Sequence, residues 1–418
     1  MYDNVNPEKP MIMHIDLNSA FATIEQQAHP HLRGVPMGVT NRMSKNCAII
    51  AASYEAKALG IKGIMRRTDA LEIYPKFIIL ETDPSKYRAV YFKLIKIMET
   101  YSPKIKMKSI DEGIIDFHGC EPILKGRSLE DIGYEIKQRV KDEIGDWMKI
   151  NVGIGMNRFL AKQAAGWHKP NGLDTIDQNN IEAYYKEMEL MDINGIAERN
   201  SARLMSKNIM SPIQFFHAPE QKLRKEVFQS VNGTYWHRRL RGYEVDDFET
   251  RKGSVGRSWV VHKPTHDDNY LLPCLSVLCE TIGIKLRSKQ LEARGIVVQL
   301  RLKSGEIWKG KRMYKSTFYT NAEVYRRALE QFNYRPRGAI VTGMDITTYE
   351  LTPSSRSQLS IFDDVKKIND LTHAVDNINE YYGLFTVYSA TSLNGTKIVK
   401  QKIPFGGTEY FDLLLKKA

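Results

Sequence analysis

Three carboxylates stand at the ends of two strand-like segments. Asp16 closes the apolar run Met11-Ile12-Met13-His14-Ile15. Asp111 and Glu112 sit between Lys108-Ser109-Ile110 and Gly113-Ile114-Ile115-Asp116. Each run has the length and composition of a strand. Acids at the ends of neighbouring strands converge on one point, where they repel one another unless a divalent cation lies between them. Oxygen ligands suit Mg²⁺, which keeps some water and accepts substrate phosphates as further ligands. A pair of such ions clamps both the attacking and the leaving oxygen of a phosphoryl transfer. A lone acid after a strand is otherwise a turn residue, and an adjacent Asp-Glu pair is a solvated hairpin end. The surrounding residues therefore carry the weight.

Those residues are informative. The string His14-Ile15-Asp16-Leu17-Asn18-Ser19-Ala20-Phe21-Ala22 with Glu25, together with Ser109-Ile110-Asp111-Glu112, resembles the two catalytic motifs of Y-family translesion DNA polymerases. The bacterial DNA polymerase IV group is the nearest match. The resemblance runs from about residue 11 to about residue 405. It implies lesion bypass during DNA repair, in the cytoplasm, by a monomer working on primer-template DNA and deoxynucleoside triphosphates.

At 418 residues the chain has room for two to four domains, each with its own core. No apolar run reaches the length of a membrane span, and no secretory pattern opens the chain. Cys47, Cys120, Cys274 and Cys279 form no Cys-x-x-Cys pair, so neither a zinc site nor a disulfide framework is indicated. The net charge is +12, and residues 251–350 hold 18 basic against 9 acidic residues. That stretch is a candidate phosphate-backbone surface.

The periodicity reads as an α+β chain. Residues 1–36 and 86–172 give strand, helix, a strand pair, helix and strand, an antiparallel sheet with helices on one face. The resemblance makes this the palm of a right-hand polymerase and residues 37–85 its fingers. Residues 173–243 read as short helices, a small thumb. In it, Ile193-Asn194-Gly195-Ile196-Ala197-Glu198 is similar to a helix-hairpin-helix, with Ala197 where a second glycine is usual. Such hairpins offer backbone N–H groups to DNA phosphate. Residues 244–255 are a charged linker. Residues 256–351 follow a βαββαβ order, as the family's little finger would, with Arg257 as a further DNA contact. Residues 352–418 turn polar and read as a tail.

By resemblance, Asp16, Asp111 and Glu112 are the metal ligands, with the carbonyl of Leu17 as a fourth protein oxygen, for two Mg²⁺ ions. Asp116 reads as structural. Phe21 falls at the steric-gate position, where a ring under the sugar excludes a 2′-hydroxyl. Core packing is the other reading of an aromatic beside a strand. Tyr54 and Lys57, in Ala51-Ala52-Ser53-Tyr54-Glu55-Ala56-Lys57, and Lys169, before Pro170, are the nucleotide-phosphate contacts. Lys57 stands where Arg is usual and offers a point charge in place of a bidentate fork. Asn157, Ala161 and Lys162 are given no catalytic role. In the tail, Gln358-Leu359-Ser360-Ile361-Phe362 resembles the peptide with which bacterial polymerases grip the sliding clamp. Gln358, Leu359, Ile361 and Phe362 would be its anchors. A metal-dependent nuclease also uses clustered acids but needs no triphosphate contacts. A catalytically dead DNA-binding relative would not need the three acids.

Overall fold

The computed structural model describes residues 4–45, 47–248, 253–354 and 365–399. The chain divides into two compact units after Phe248.

In the first unit, strands β1 (Ile12–Leu17), β2 (Met37–Thr40), β3 (Ile49–Ala52), β4 (Ile78–Glu81), β5 (Ile105–Met107), β6 (Glu112–Asp116), β7 (Ile150–Gly155) and β8 (Leu173–Ile176) build two sheets. The larger has the order β5-β6-β1-β7-β8. Its central strand β1 is buried along almost its whole length, as its near-continuous apolar run requires. The sheet is antiparallel except for β7 and β8, which pair in parallel. Leu173–Ile176 is therefore part of this sheet, whereas the sequence reading begins the thumb there. The reason is the Arg158–Trp167 helix, which carries the chain back over the sheet and returns it beside β7.

That helix lies unusually close to β7. A Cβ on Gly153 would come within 2.1 Å of the Ala161 carbonyl oxygen, and one on Gly155 within 2.4 Å of the Ala161 nitrogen. Only glycine at both positions lets helix and strand backbones meet.

The smaller sheet, β3-β2-β4, packs on the short Tyr54–Ala58 and Arg67–Ile73 helices through Ile49, Ala56, Ala70 and Phe77. Ser53 caps the first of these by accepting from the Ala56 N–H. Short helices between Ile181 and Leu240 surround a separate core that includes Phe159, Phe215 and Trp236. These bodies match the expected palm, fingers and thumb.

The second unit holds strands β9 (Ser254–Thr265), β10 (Leu291–Leu302), β11 (Ile307–Phe318) and β12 (Val341–Pro353) in the antiparallel order β11-β10-β12-β9. Helices Asp268–Ser288 and Asn321–Phe332 pack through a core with Leu275, Ile282, Ile296, Val298 and Phe332. The βαββαβ expectation holds. The edge strand β11 exposes Lys309, Lys311, Arg312 and Lys315, charges that also discourage edge pairing.

Beyond residue 364 the structure departs from the sequence reading. Val365–Tyr382 is a helix, and a shorter one, Leu393–Ile398, follows. Both are fastened to the Asp268–Ser288 helix, so residues 365–399 are part of this unit and not a tail. The first helix is fastened by polar contacts, which is why composition hides it. Arg287 grips Asp376 with two bonds of 2.6 and 2.7 Å. Tyr319 donates to Asn369, and Ser392 donates to buried Glu280 at 2.6 Å. Gly395 sits directly against the Pro273 carbonyl, with no room for a Cβ. Gln358, Leu359, Ile361 and Phe362 lie outside the described residues.

Candidate active site

Strand register brings the acids together. In the antiparallel pair β1–β6, Asp16 lies opposite Glu112. Like charges directly across a ladder are destabilising, so a sheet tolerates such a pair only where other groups offset it. Next along the chain, the Asp111 carbonyl accepts the Leu17 N–H at 2.8 Å, which ties the third acid to the end of β1.

Each acid has a different environment. Glu112 receives Lys162 Nζ on both oxygens, at 3.1 and 2.8 Å, and lies 3.2 Å from His14 Nε2. The His14 bond first, then Lys162, lowers its pKa to about 2 against the cost of burial. Asp16 is 3.0 Å from Lys169 Nζ. Asp111 receives the Ser109 hydroxyl. Burial, and then the charges of Asp16 and Glu112, push its carboxyl upward. Of the three, Asp111 is thus the one its neighbours oppose, while Glu112 is held ionised by His14 and Lys162.

His14 belongs to this cluster, and the sequence reading gave it no role. Among the described residues, ligand atoms of His14, Asp16 and Glu112 all lie within 4.8 Å of one another. His14 is buried and its Nε2 is engaged with Glu112, so it orients that carboxylate. The signal was available: residues 14 and 16 of a strand share a face. Lys162 was also passed over. It reaches Glu112 because Gly153 and Gly155 let its helix lie on β7.

Beside the acids is a cationic corner. Asn18 Oδ1 accepts the Asn171 N–H at 2.7 Å, which ties the loop that carries Lys169 to the end of β1. Lys57 Nζ donates to Ser19 Oγ at 2.7 Å and sits 4.6 Å from the Tyr54 ring centroid. Burial first, then Lys169, lowers the Lys57 pKa. Lys57 thus feels the charge of Lys169, whose own partner is Asp16. Burial, and then Asp16, push the Tyr54 phenol up to about 12, so it stays a hydrogen-bond donor at neutral pH.

Other residues named from the sequence have partners of their own. Phe21 is 7% exposed, with its ring 4.6 Å from that of Tyr87. Asp116, at the far end of β6, is bonded to His118 and lies near Arg158. Asn157 caps the Arg158–Trp167 helix and donates to the Arg239 and Tyr243 carbonyls. Gly195 has a φ of +94°, the left-handed geometry glycine supports. Ala197 starts the Glu198–Met205 helix without a side-chain cap. Arg257 is on β9 of the second unit.

Two family models match the chain: "impB/mucB/samB family" over residues 15–166 and "impB/mucB/samB family C-terminal domain" over residues 252–361. The chain is 28% identical over 399 residues to a DNA polymerase IV of Pelotomaculum thermopropionicum, covering 94% of this chain and 97% of that one. It is 26% identical over 383 residues to a DNA polymerase IV of Bacillus anthracis, covering 90% and 91%. Among solved structures, a Y-family DNA polymerase chimera of Dbh and Dpo4 superposes with a TM-score of 0.68 at 22% identity, covering 81% of this chain and 98% of that one. The models together match more than half of the chain and the architecture is that of the Y-family DNA polymerases, so the chain belongs to the impB/mucB/samB family.

Proposed function

We propose that the chain is a DNA-directed DNA polymerase of the Y family that extends primers past template lesions by nucleotidyl transfer. The observation that carries this reading is the joining of two sites by one contact. Lys169 of the cationic corner lies 3.0 Å from Asp16 of the carboxylate cluster. A nuclease needs only the second of these sites; a polymerase using triphosphates needs both.

Asp16, Asp111 and Glu112, with the Leu17 carbonyl, would hold two Mg²⁺ ions. When bound, such ions supply the charge that lowers the pKa of a primer 3′-hydroxyl and neutralises the departing pyrophosphate. The chain's own groups do the positioning. Lys57, Lys169 and the protonated Tyr54 bind phosphate oxygens with charge-assisted or hydroxyl bonds. A phosphate between Lys57 and Lys169 relieves their mutual repulsion, so the corner favours the triphosphate over a neutral nucleoside. His14 fixes the Glu112 carboxylate. Phe21, held by Tyr87, is rigid enough to exclude a 2′-hydroxyl.

Gly195, Ala197 and Arg257 would meet the DNA backbone, together with the lysines of β11. Gln358, Leu359, Ile361 and Phe362 would engage a bacterial sliding clamp, and the polymerase would work as a monomer.

Primer extension tests the assignment. Asp111→Ala should lower extension at least about a hundredfold while primer-template binding, read by fluorescence anisotropy, stays near that of the parent. Near-normal extension by the variant would remove Asp111 from the site. Phe21→Val, which keeps part of the packing, should raise ribonucleotide incorporation; unchanged sugar selection would return Phe21 to a packing role.

A further inference from the structure

The Arg158–Trp167 helix points one ammonium at the carboxylate cluster. Lys162 Nζ bonds both Glu112 oxygens, and His14 Nε2 takes a second contact on Oε2. A divalent cation on Glu112 would meet that ammonium at contact distance, where two like charges repel strongly in a partly buried site. One of them must leave. His14 is 1% exposed and cannot withdraw; the Lys162 side chain is 42% exposed and can. Its backbone stays in place, because the neighbouring Ala161 and Ala165 are wedged against Gly153 and Gly155.

We infer that Lys162 is an internal counter-ion of Glu112 which a divalent cation displaces, so that the Lys162–Glu112 pair sets how tightly the site takes its cation. The inference rests on the carboxylate cluster being a cation site, as proposed above.

Titration of the full-length chain with Mn²⁺, followed by electron paramagnetic resonance and without DNA or nucleotide, tests it. Lys162→Met removes the competitor and should tighten Mn²⁺ binding about three- to fivefold, the scale of one partly exposed ion pair. Lys162→Arg keeps the charge but offers Glu112 a fork of two parallel bonds, and should bind Mn²⁺ more weakly than the parent. The order Met, Lys, Arg is specific to displacement. Mere repulsion at a distance would make Arg and Lys equal.

A second readout avoids titration of the metal. In chelator, Lys162→Met should melt below the parent, because Glu112 has lost one of its two partners. Saturating Mn²⁺ should close that gap by mass action. Equal Mn²⁺ affinity of the Met variant and the parent, or of the Arg variant and the parent, overturns the counter-ion role and leaves the cation site standing. If the parent shows no Mn²⁺ binding that Asp111→Ala abolishes, the cation reading fails, and this inference with it.

Discussion

The ends of β1 and β6 gather charge, while the Val365–Tyr382 helix turns its apolar side outward. At the strand ends, Asp16 faces Glu112, Asp111 is pushed upward by burial and then by both, and Lys57 and Lys169 oppose one another. Nothing in the packing of the sheet calls for these charges. Along the helix the polar residues Asn369 and Asp376 are the ones that grip the unit. Ile368, Leu371, Ile378 and Tyr382 are exposed. In the first region like charges are set against one another. In the second the polar groups are satisfied and carry the attachment. At the strand ends like charges lie opposite one another; Arg287 with Asp376 is charge used as structure.

The largest expected effect belongs to the proposed clamp-binding residues Gln358, Leu359, Ile361 and Phe362. The elements that flank residues 355–364, β12 and the Val365–Tyr382 helix, belong to one unit. Removing everything after residue 352 would therefore strip the Val365–Tyr382 helix from Arg287 and Ser392 from Glu280, so point substitutions are the clean experiment. Replacing Leu359 and Phe362 with Ala should weaken clamp affinity about thirtyfold, as loss of anchors worth about 2 kcal/mol implies. Basal extension should be unchanged. Equal stimulation of parent and double variant by a loaded clamp would make the motif a chance match.

Next in size are the opposed lysines. Lys57→Ala and Lys169→Ala should each raise the apparent KM for deoxynucleotides about tenfold, on the scale of one charge-assisted bond. DNA affinity should change far less. If DNA binding alone suffers, the corner grips the backbone and not the triphosphate.

The sequence showed the site better than its supports. Asp16, Asp111 and Glu112 lie in short contiguous strings, and a strand's alternation is enough to aim them. His14 was legible by the same alternation, since it is two residues from Asp16. Lys162 was not, because its reach depends on how closely a helix can approach β7, and that is set by Gly153 and Gly155. The little-finger order followed from strong periodicity. The Val365–Tyr382 helix was lost to composition. Its apolar residues at 368, 371, 375, 378 and 382 have helical spacing, but a polar stretch with one apolar stripe looks like a solvated segment when no core is in view. The face that packs is the polar one, and no amphipathic rule points there.

That reversal gives the most discriminating prediction. In an ordinary surface helix, truncating an exposed acid changes little, and charging an apolar stripe position is costly. Here the order should invert. Asp376→Ala breaks two short bonds to Arg287, a side chain that is only 9% exposed and also donates to the Tyr319 carbonyl and to Asn321. Leaving that guanidinium short of a partner should cost about 1–3 kcal/mol, read as a lower denaturant midpoint for the second unit. Leu371→Glu places a charge on a side chain that is 66% exposed, where surface substitutions stay within about 0.5 kcal/mol. Both positions lie in one helix, so helix propensity and chain entropy nearly cancel in the comparison. If Leu371→Glu proves the more damaging, the stripe is covered in solution and the helix is amphipathic in the usual sense. If Asp376→Ala does, polar contacts hold this helix to the fold, and the same chemistry that builds a site at β1 and β6 builds structure here.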